Sequence, residues 1–344
     1  MTQEQAPAYR RAGVDLSAAD DVVRRLKPLA ARTRTAGVAL DLGLFGGCFA
    51  FPDPCGEDVL VASIDGVGTK MKVARATGRW ESAGYDIVAH CVDDVLTLGA
   101  RPLFFLDYIG TSRLDVDIVE ALVRGMVTGC QEAECALLGG ETAEMPSVYV
   151  SGEVDLVGCL IGAVRRSDLL PGRRVRAGDR LVGLVSNGLH TNGFSLARRV
   201  LLDEGPGLEA LLEGGASVGD ALAATHRMYW KAVRPYLGRA ELHAMAHITG
   251  GGIPGNLSRV MPSDCLARVD TGSWAVPPVF REIQRRGAVG REEMFEVFNM
   301  GIGWILVVEP HVAEAWSREL DAGGWGARVV GEVLPGGSGV RLEP

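Results

Sequence analysis

A chain of 344 residues exceeds the size at which one hydrophobic core usually keeps growing, so two domains are expected, and 47% apolar residues allow both to be filled. Acidic side chains outnumber basic ones by 43 to 35, for a formal charge of -8, and no basic run is interleaved with aromatics, which argues against a nucleic-acid surface. Seven cysteines without a C-x-x-C pair, several inside apolar segments, point to reduced thiols in the cytoplasm, while the polar start (residues 1–7) and the lack of a bilayer-length apolar run argue against secretion and membrane insertion.

In chain order, the apolar β-branched run 59–64 reads as a buried strand that delivers Asp65-Gly66 into a glycine loop. Ile87, Val88, Cys91, Val92, Val95 and Leu96 recur at helical spacing over 81–98, with Gly99 and Pro102 as the stop. A strand over 103–109, a helix over 115–131, a short strand over 136–138 entering Gly139-Gly140-Glu141, and a long alternating strand over 154–164 follow. The stretch 167–178 holds Pro171, Gly172, Gly178 and three arginines, the best linker candidate, so the expected domains are 1–170 and 171–344. The second half is expected to give strands over 180–185, 242–248, 304–308 and 327–333, and helices over 194–202, 221–237, 279–285 and 311–320.

Neither G-x-x-x-x-G-K-[ST] nor a G-x-G-x-x-G after the first strand is present, which disfavours a P-loop or dinucleotide-binding fold. Asp65-Gly66-Val67-Gly68-Thr69-Lys70 has the parts of a phosphate loop: glycines that let backbone N–H groups approach an anion, a lysine, and a carboxylate suited to a divalent cation. A tight turn with a solvated lysine explains the hexapeptide equally well. Asp86, His90, Asp93 and Asp94 fall on one side of the 81–98 helix, where a solvated acidic face is the usual reading. Asp93 and Asp94, however, are bracketed by Val92 and Val95, and adjacent carboxylates in an apolar setting favour a cation, with Asp94 the stronger candidate. Glu141, with Gly140, supplies a third acidic group at a glycine turn, or merely caps that turn.

In the second half, His190 and Asn192 lie in a loop entering a helix, and Thr249-Gly250-Gly251-Gly252 repeats the arrangement; both suit an anionic ligand, although glycine runs are often only turns. Gly46 and Gly47 belong to a glycine segment that reads as a cover over bound ligand or as a linker. Lys27 sits among arginines in a helix-like segment whose ordinary reading is a solvated face.

Segments 9–15, 65–70, 102–108, 139–146, 190–193 and 247–252, in this order, resemble the aminoimidazole ribonucleotide synthetase family from end to end. The resemblance implies an α/β fold of layered α+β type, with an N-terminal mixed or antiparallel sheet that pairs across a homodimer and a C-terminal sheet-and-helix domain. It implies ATP and Mg²⁺ as cofactors and formylglycinamidine ribonucleotide as substrate. By position, Lys27, Gly46, Gly47, Asp65, Gly66, Gly68, Thr69, Lys70, Asp94, Gly140 and Glu141 fall to ATP, and Asp65, Asp94 and Glu141 to the metal. His190, Asn192, Thr249, Gly250 and Gly251 fall to the substrate, with His190, Asp94 and Asp65 as the catalytic set. Asp93 departs from the family's pattern, where asparagine is common. The alternatives are another ATP-using member of the same superfamily, of the selenophosphate synthetase or thiamine-monophosphate kinase type, or a binding protein without turnover.

Overall fold

The computed structural model describes residues 38–40, 47–50 and 57–344. The first half builds β1 (Val38–Leu40), β2 (Gly47–Ala50), β3 (Asp58–Gly66), α1 (Lys70–Thr77), α2 (Trp80–Leu96), β4 (Arg101–Thr111), α3 (Val116–Glu132), β5 (Ala136–Glu144) and β6 (Val154–Arg165). These strands form one sheet in the order β1-β2-β3-β6-β4-β5. The β4–α3–β5 crossover makes β4 and β5 parallel; the other neighbours are antiparallel.

Helices α2 and α3 cover one face of this sheet. Asp115 caps α3, its carboxylate accepting from the N–H groups of Asp117 and Ile118 at 3.0 and 3.2 Å. Glycine lets the two helices approach closely: a Cβ on Gly84 would stand 1.9 Å from the Leu122 carbonyl oxygen, and one on Gly125 1.9 Å from that of Glu81. Along β3, Val59, Val61 and Ser63 are buried toward the helices, whereas Ile64 on the opposite face is 68% exposed, as is Leu138 of β5 at 64%. The outer face of this sheet is thus apolar and open in the single chain.

The second half contributes β7 (Arg180–Val185), α4 (Phe194–Arg198), α5 (Val218–Ala223), α6 (Trp230–Val233), β8 (Leu242–His247), α7 (Gly252–Leu257), β9 (Cys265–Asp270), α8 (Pro278–Gly287), α9 (Arg291–Val297), β10 (Ile302–Val308), α10 (Pro310–Ala322), β11 (Arg328–Pro335) and β12 (Gly339–Glu343). Its sheet runs β12-β9-β11-β7-β10-β8, with β12 and β9 parallel. Every residue of β8 and β10 is buried, because both faces of these strands are covered. Leu306, Trp304 and Met245 on one face join the core of the first half, while Ile305, Val307 and Ala246 on the other pack with α4, α7, α8 and α9. The two sheets therefore share an apolar boundary.

The expected layered α/β architecture of two sheets with flanking helices is what the chain adopts. Three expectations about elements are corrected. The continuous helix over 221–237 is absent: α5 ends at Ala223, residues 224–229 run irregularly, and α6 is followed by a 3₁₀ turn with Pro235. Gly139-Gly140-Glu141 is not a turn after a short strand but the middle of β5, held in register by β4. The helix expected to start at 194 changes to a π turn at Arg199–Asp203. Among the described residues, no helix is long and apolar enough to cross a membrane.

Candidate functional site

Helix α2 places four polar side chains in the boundary between the sheets. Asp86, His90, Asp93 and Asp94 are all buried. Two of them tie down the irregular segment 224–229. Asp86 accepts from the His226 N–H at 2.6 Å and Asp93 from the Tyr229 N–H at 2.8 Å. Asp86 also meets the Lys70 ammonium at 2.7 Å, with both side chains shielded from solvent. Burial favours the neutral form of each, and their contact opposes this. Lys70 further donates to the carbonyls of His190, at 2.9 Å, and Ala224, at 2.6 Å. All three of its N–H groups thus have protein acceptors, so the lysine of the glycine hexapeptide clasps the two halves together.

The remaining acids form a pair. Asp65 stands at the end of β3, and the Ser63 hydroxyl lies 3.4 Å from Asp65 Oδ2 and 3.3 Å from Asp94 Oδ2. Burial pushes the Asp65 carboxyl up to about 6, against the opposing influence of His90, and pushes Asp94 up as well. Two desolvated carboxylates sharing one hydroxyl are an oxygen donor set that a divalent cation relieves, so they fit Mg²⁺. Gly66, Gly68 and Thr69 lead from this pair to α1. Gly68 needs its positive φ of 64°, and the Thr69 hydroxyl reaches Ser195 of the second half at 3.2 Å.

Four of the six histidines in the chain gather beside these acids. His247 Nδ1 donates to Asp94 Oδ1 at 2.8 Å, its Nε2 lies 3.0 Å from His226 Nε2, and Thr191 Oγ1 bridges His226 Nδ1 (3.3 Å) and His90 Nδ1 (2.6 Å). His190 is held at φ 61° and stacks on His226 with ring centroids 4.1 Å apart. Both His190 ring nitrogens and Asn192 Nδ2 are buried without a protein hydrogen-bond partner. Buried polar groups of this kind call for a partner. Burial drives His190 well below the ordinary imidazole range, so its ring is neutral there.

Thr249, Gly250 and Gly251 form the loop after β8, and the Asn256 amide ties it by donating to the carbonyls of Thr249, Gly250 and Gly252. Gly250 adjoins Asn192, since a Cβ on it would stand 3.2 Å from Asn192 Oδ1. Gly140 and Glu141 are placed apart from Asp65. Asp65, Gly158, Asp107 and Gly140 form one row across β3, β6, β4 and β5, so Gly140 is three strand intervals, about 14 Å, from Asp65. Glu141 is the next residue and points to the opposite face of the sheet, so within one chain it does not join the Asp65–Asp94 pair. Gly47 lies in β2 opposite Ala62. Lys27 and Gly46 lie outside the described residues.

His226 and Tyr229 escape a reading of the sequence because nothing around them forms a motif. Their signal is indirect: Asp86, His90 and Asp93 are too polar for a helix buried on this side unless another segment satisfies them.

The two halves match the family descriptions "AIR synthase related protein, N-terminal domain" over residues 47–164 and "AIR synthase related protein, C-terminal domain" over 176–342. The Sorangium cellulosum phosphoribosylformylglycinamidine cyclo-ligase is 50% identical over 95% of this chain and 95% of its own. The Myxococcus xanthus protein of the same name is 50% identical over 95% and 96%, and the chloroplastic one of Arabidopsis thaliana 45% identical over 97% and 83%. The chain belongs to the phosphoribosylformylglycinamidine cyclo-ligase family. Among solved structures, the thiamine-monophosphate kinase of Stenotrophomonas maltophilia shares the fold with a TM-score of 0.62 at 20% identity, over 94% of this chain and 95% of that one. The hydrogenase maturation protein HypE in complex with ATP does so with a TM-score of 0.61 at 19% identity, over 91% and 85%.

Proposed function

We infer that this protein is the ligase of purine biosynthesis that cyclises formylglycinamidine ribonucleotide to 5-aminoimidazole ribonucleotide, converting ATP to ADP and phosphate. The observation that carries this reading is identity of about 50%, over nearly the full length, to proteins named for that reaction. The site has the parts the chemistry needs. A formyl amide is a poor electrophile, so its oxygen must first take the γ-phosphoryl group. The amidine nitrogen then attacks the activated carbon, a proton leaves that nitrogen, and phosphate departs with the former amide oxygen. Asp65 and Asp94 would hold Mg²⁺, which neutralises the phosphoryl charge during transfer. Unpartnered His190 is the candidate to take that proton as the ring closes, and Asn192 with the Thr249–Gly250–Gly251 loop to position the ribonucleotide.

The open apolar face of the first sheet, with Ile64 and Leu138, supports a homodimer through that face, and the unpaired described cysteines suit a cytoplasmic setting. Light scattering at micromolar protein should report twice the chain mass, and a monomer would exclude the dimer. Purified protein incubated with ATP, Mg²⁺ and formylglycinamidine ribonucleotide should yield the aminoimidazole product and ADP in equal amounts. A folded protein that yields neither would overturn the functional reading.

A further inference from the structure

The carboxylates proposed to hold Mg²⁺ have imidazoles directly beside them. Single ligand atoms of His90, Asp94 and His247 lie within 4.8 Å of one another, and Asp65 Oδ1 lies 3.7 Å from His90 Nε2. His90 and Asp94 are four residues apart on α2, the spacing that places two ligands on one side of a helix. His247 comes from the end of β8 and Asp65 from β3, so all four groups sit on or at the ends of regular elements. The rings of His90 and His247 meet at 85°, edge to face, which allows in-plane lone pairs to converge on a point between them. With an ion in place of the Asp94 hydrogen bond, His247 carries its proton on Nε2 and donates it to His226 Nε2, 3.0 Å away, which fixes the ring with Nδ1 toward Asp94 as an outer-sphere partner does for a metal-bound imidazole.

We propose that, in the absence of nucleotide, His90, His247, Asp94 and Asp65 form a binding site for one borderline divalent ion of the Zn²⁺ and Co²⁺ class, and that this site prefers such an ion to Mg²⁺. Two imidazoles and two carboxylates around a small volume suit a four-coordinate transition ion. Mg²⁺ prefers an octahedron of oxygens and keeps much of its water. A second histidine group, His190, His226 and His247, is equally close, but the rings of His190 and His226 are stacked at an interplanar angle of 24°. In-plane lone pairs on stacked rings run side by side and do not converge, so that group is not the site. Because the ion takes the carboxylates that would meet Mg²⁺–ATP, Zn²⁺ also inhibits. This corollary alone rests on the functional reading.

The test is a titration of chelator-treated, nucleotide-free full-length protein with Co²⁺, followed by the intensity of its visible absorption, and with Zn²⁺ and Mg²⁺ by calorimetry. One Co²⁺ per chain with the strong bands of a four-coordinate ion is expected, with Zn²⁺ displacing it and Mg²⁺ failing to. His90→Ala and His247→Ala, each shown to be folded by circular dichroism, should weaken Zn²⁺ by at least about 10–100-fold, the loss seen even for outer-sphere partners. His90→Gln guards against misfolding and should weaken it likewise. His190→Ala should leave the affinity unchanged. Weak six-coordinate Co²⁺ bands, Mg²⁺ binding as tight as Zn²⁺, or a loss in His190→Ala but not in His90→Ala would overturn the proposal. No substrate enters the titration, so its outcome is independent of whether the cyclisation assay succeeds.

Discussion

Replacing Lys70 with Met separates two roles for the lysine of the glycine hexapeptide. In the structure its ammonium meets Asp86 at 2.7 Å and donates to the carbonyls of His190 and Ala224. Lys70→Met removes all three contacts at a site closed to water. Asp86 then keeps only the His226 N–H, and two carbonyls lose a charged donor. Breaking a buried pair by removing one partner costs about 3–5 kcal/mol, because a buried charge is left uncompensated. The assay is chemical denaturation followed by tryptophan fluorescence. The midpoint of Lys70→Met should fall by an amount in that range, while Lys70→Met with Asp86→Leu should recover part of the loss, since the uncompensated carboxylate is then gone. A phosphate ligand behaves in the opposite way, with unfolding close to wild type and ATP stabilisation lost. If Lys70→Met unfolds within about 1 kcal/mol of wild type and no longer responds to ATP, the clasp reasoning fails.

Asp94→Ala should abolish the stabilisation conferred by Mg²⁺–ATP and lower turnover by orders of magnitude. Without ligand its stability should stay within about 2 kcal/mol of wild type, because losing a desolvated carboxylate offsets the stranded His247 Nδ1–H; a thermal shift with and without nucleotide reads both. The Asp65 carboxyl is raised from 3.8 to about 6, so the folded state holds this proton more tightly than the unfolded chain. The stability this contributes is complete below about pH 4 and lost as pH rises through about 6. Asp65→Asn should remove that part of the slope in denaturation midpoints, and an unchanged pH profile would show that the group is not raised. Gly303→Ala brings a Cβ to 2.1 Å from the Tyr229 hydroxyl oxygen and 2.5 Å from His190 Cε1, displacing the histidine. It should cost about 1–3 kcal/mol and lower kcat more than it weakens ATP binding. Stopped turnover against nucleotide titration checks the split.

Strand runs and helical periodicity mark the elements of this fold well where one face is buried. The expected strand 180–185 matches β7, and the helix expected over 81–98 is α2 at Trp80–Leu96. The break at 224–229 was not legible, because the groups that hold it, Asp86 and Asp93, lie some 140 residues earlier and act on backbone N–H groups. Strand β5 runs through its glycines because pairing with β4 outweighs the turn preference of Gly139-Gly140. For the site, a carboxylate at a strand end marked Asp65, and burial of the α2 stripe marked Asp94. His226 carries no local signal, and the partners of Lys70 in the second half are carbonyls, which any residue provides.

That last point sets how freely the two halves can be exchanged. On the first half the clasp is made by the side chains of Lys70, Asp86 and Asp93; on the second it is met mostly by main-chain groups, the carbonyls of His190 and Ala224 and the N–H groups of His226 and Tyr229. Its specificity is therefore written on one side only. A chimera joined between Arg165 and Arg180, with a relative's second half, keeps the clasp as long as the main chain follows the same path, whatever side chains that half carries at 224, 226 and 229.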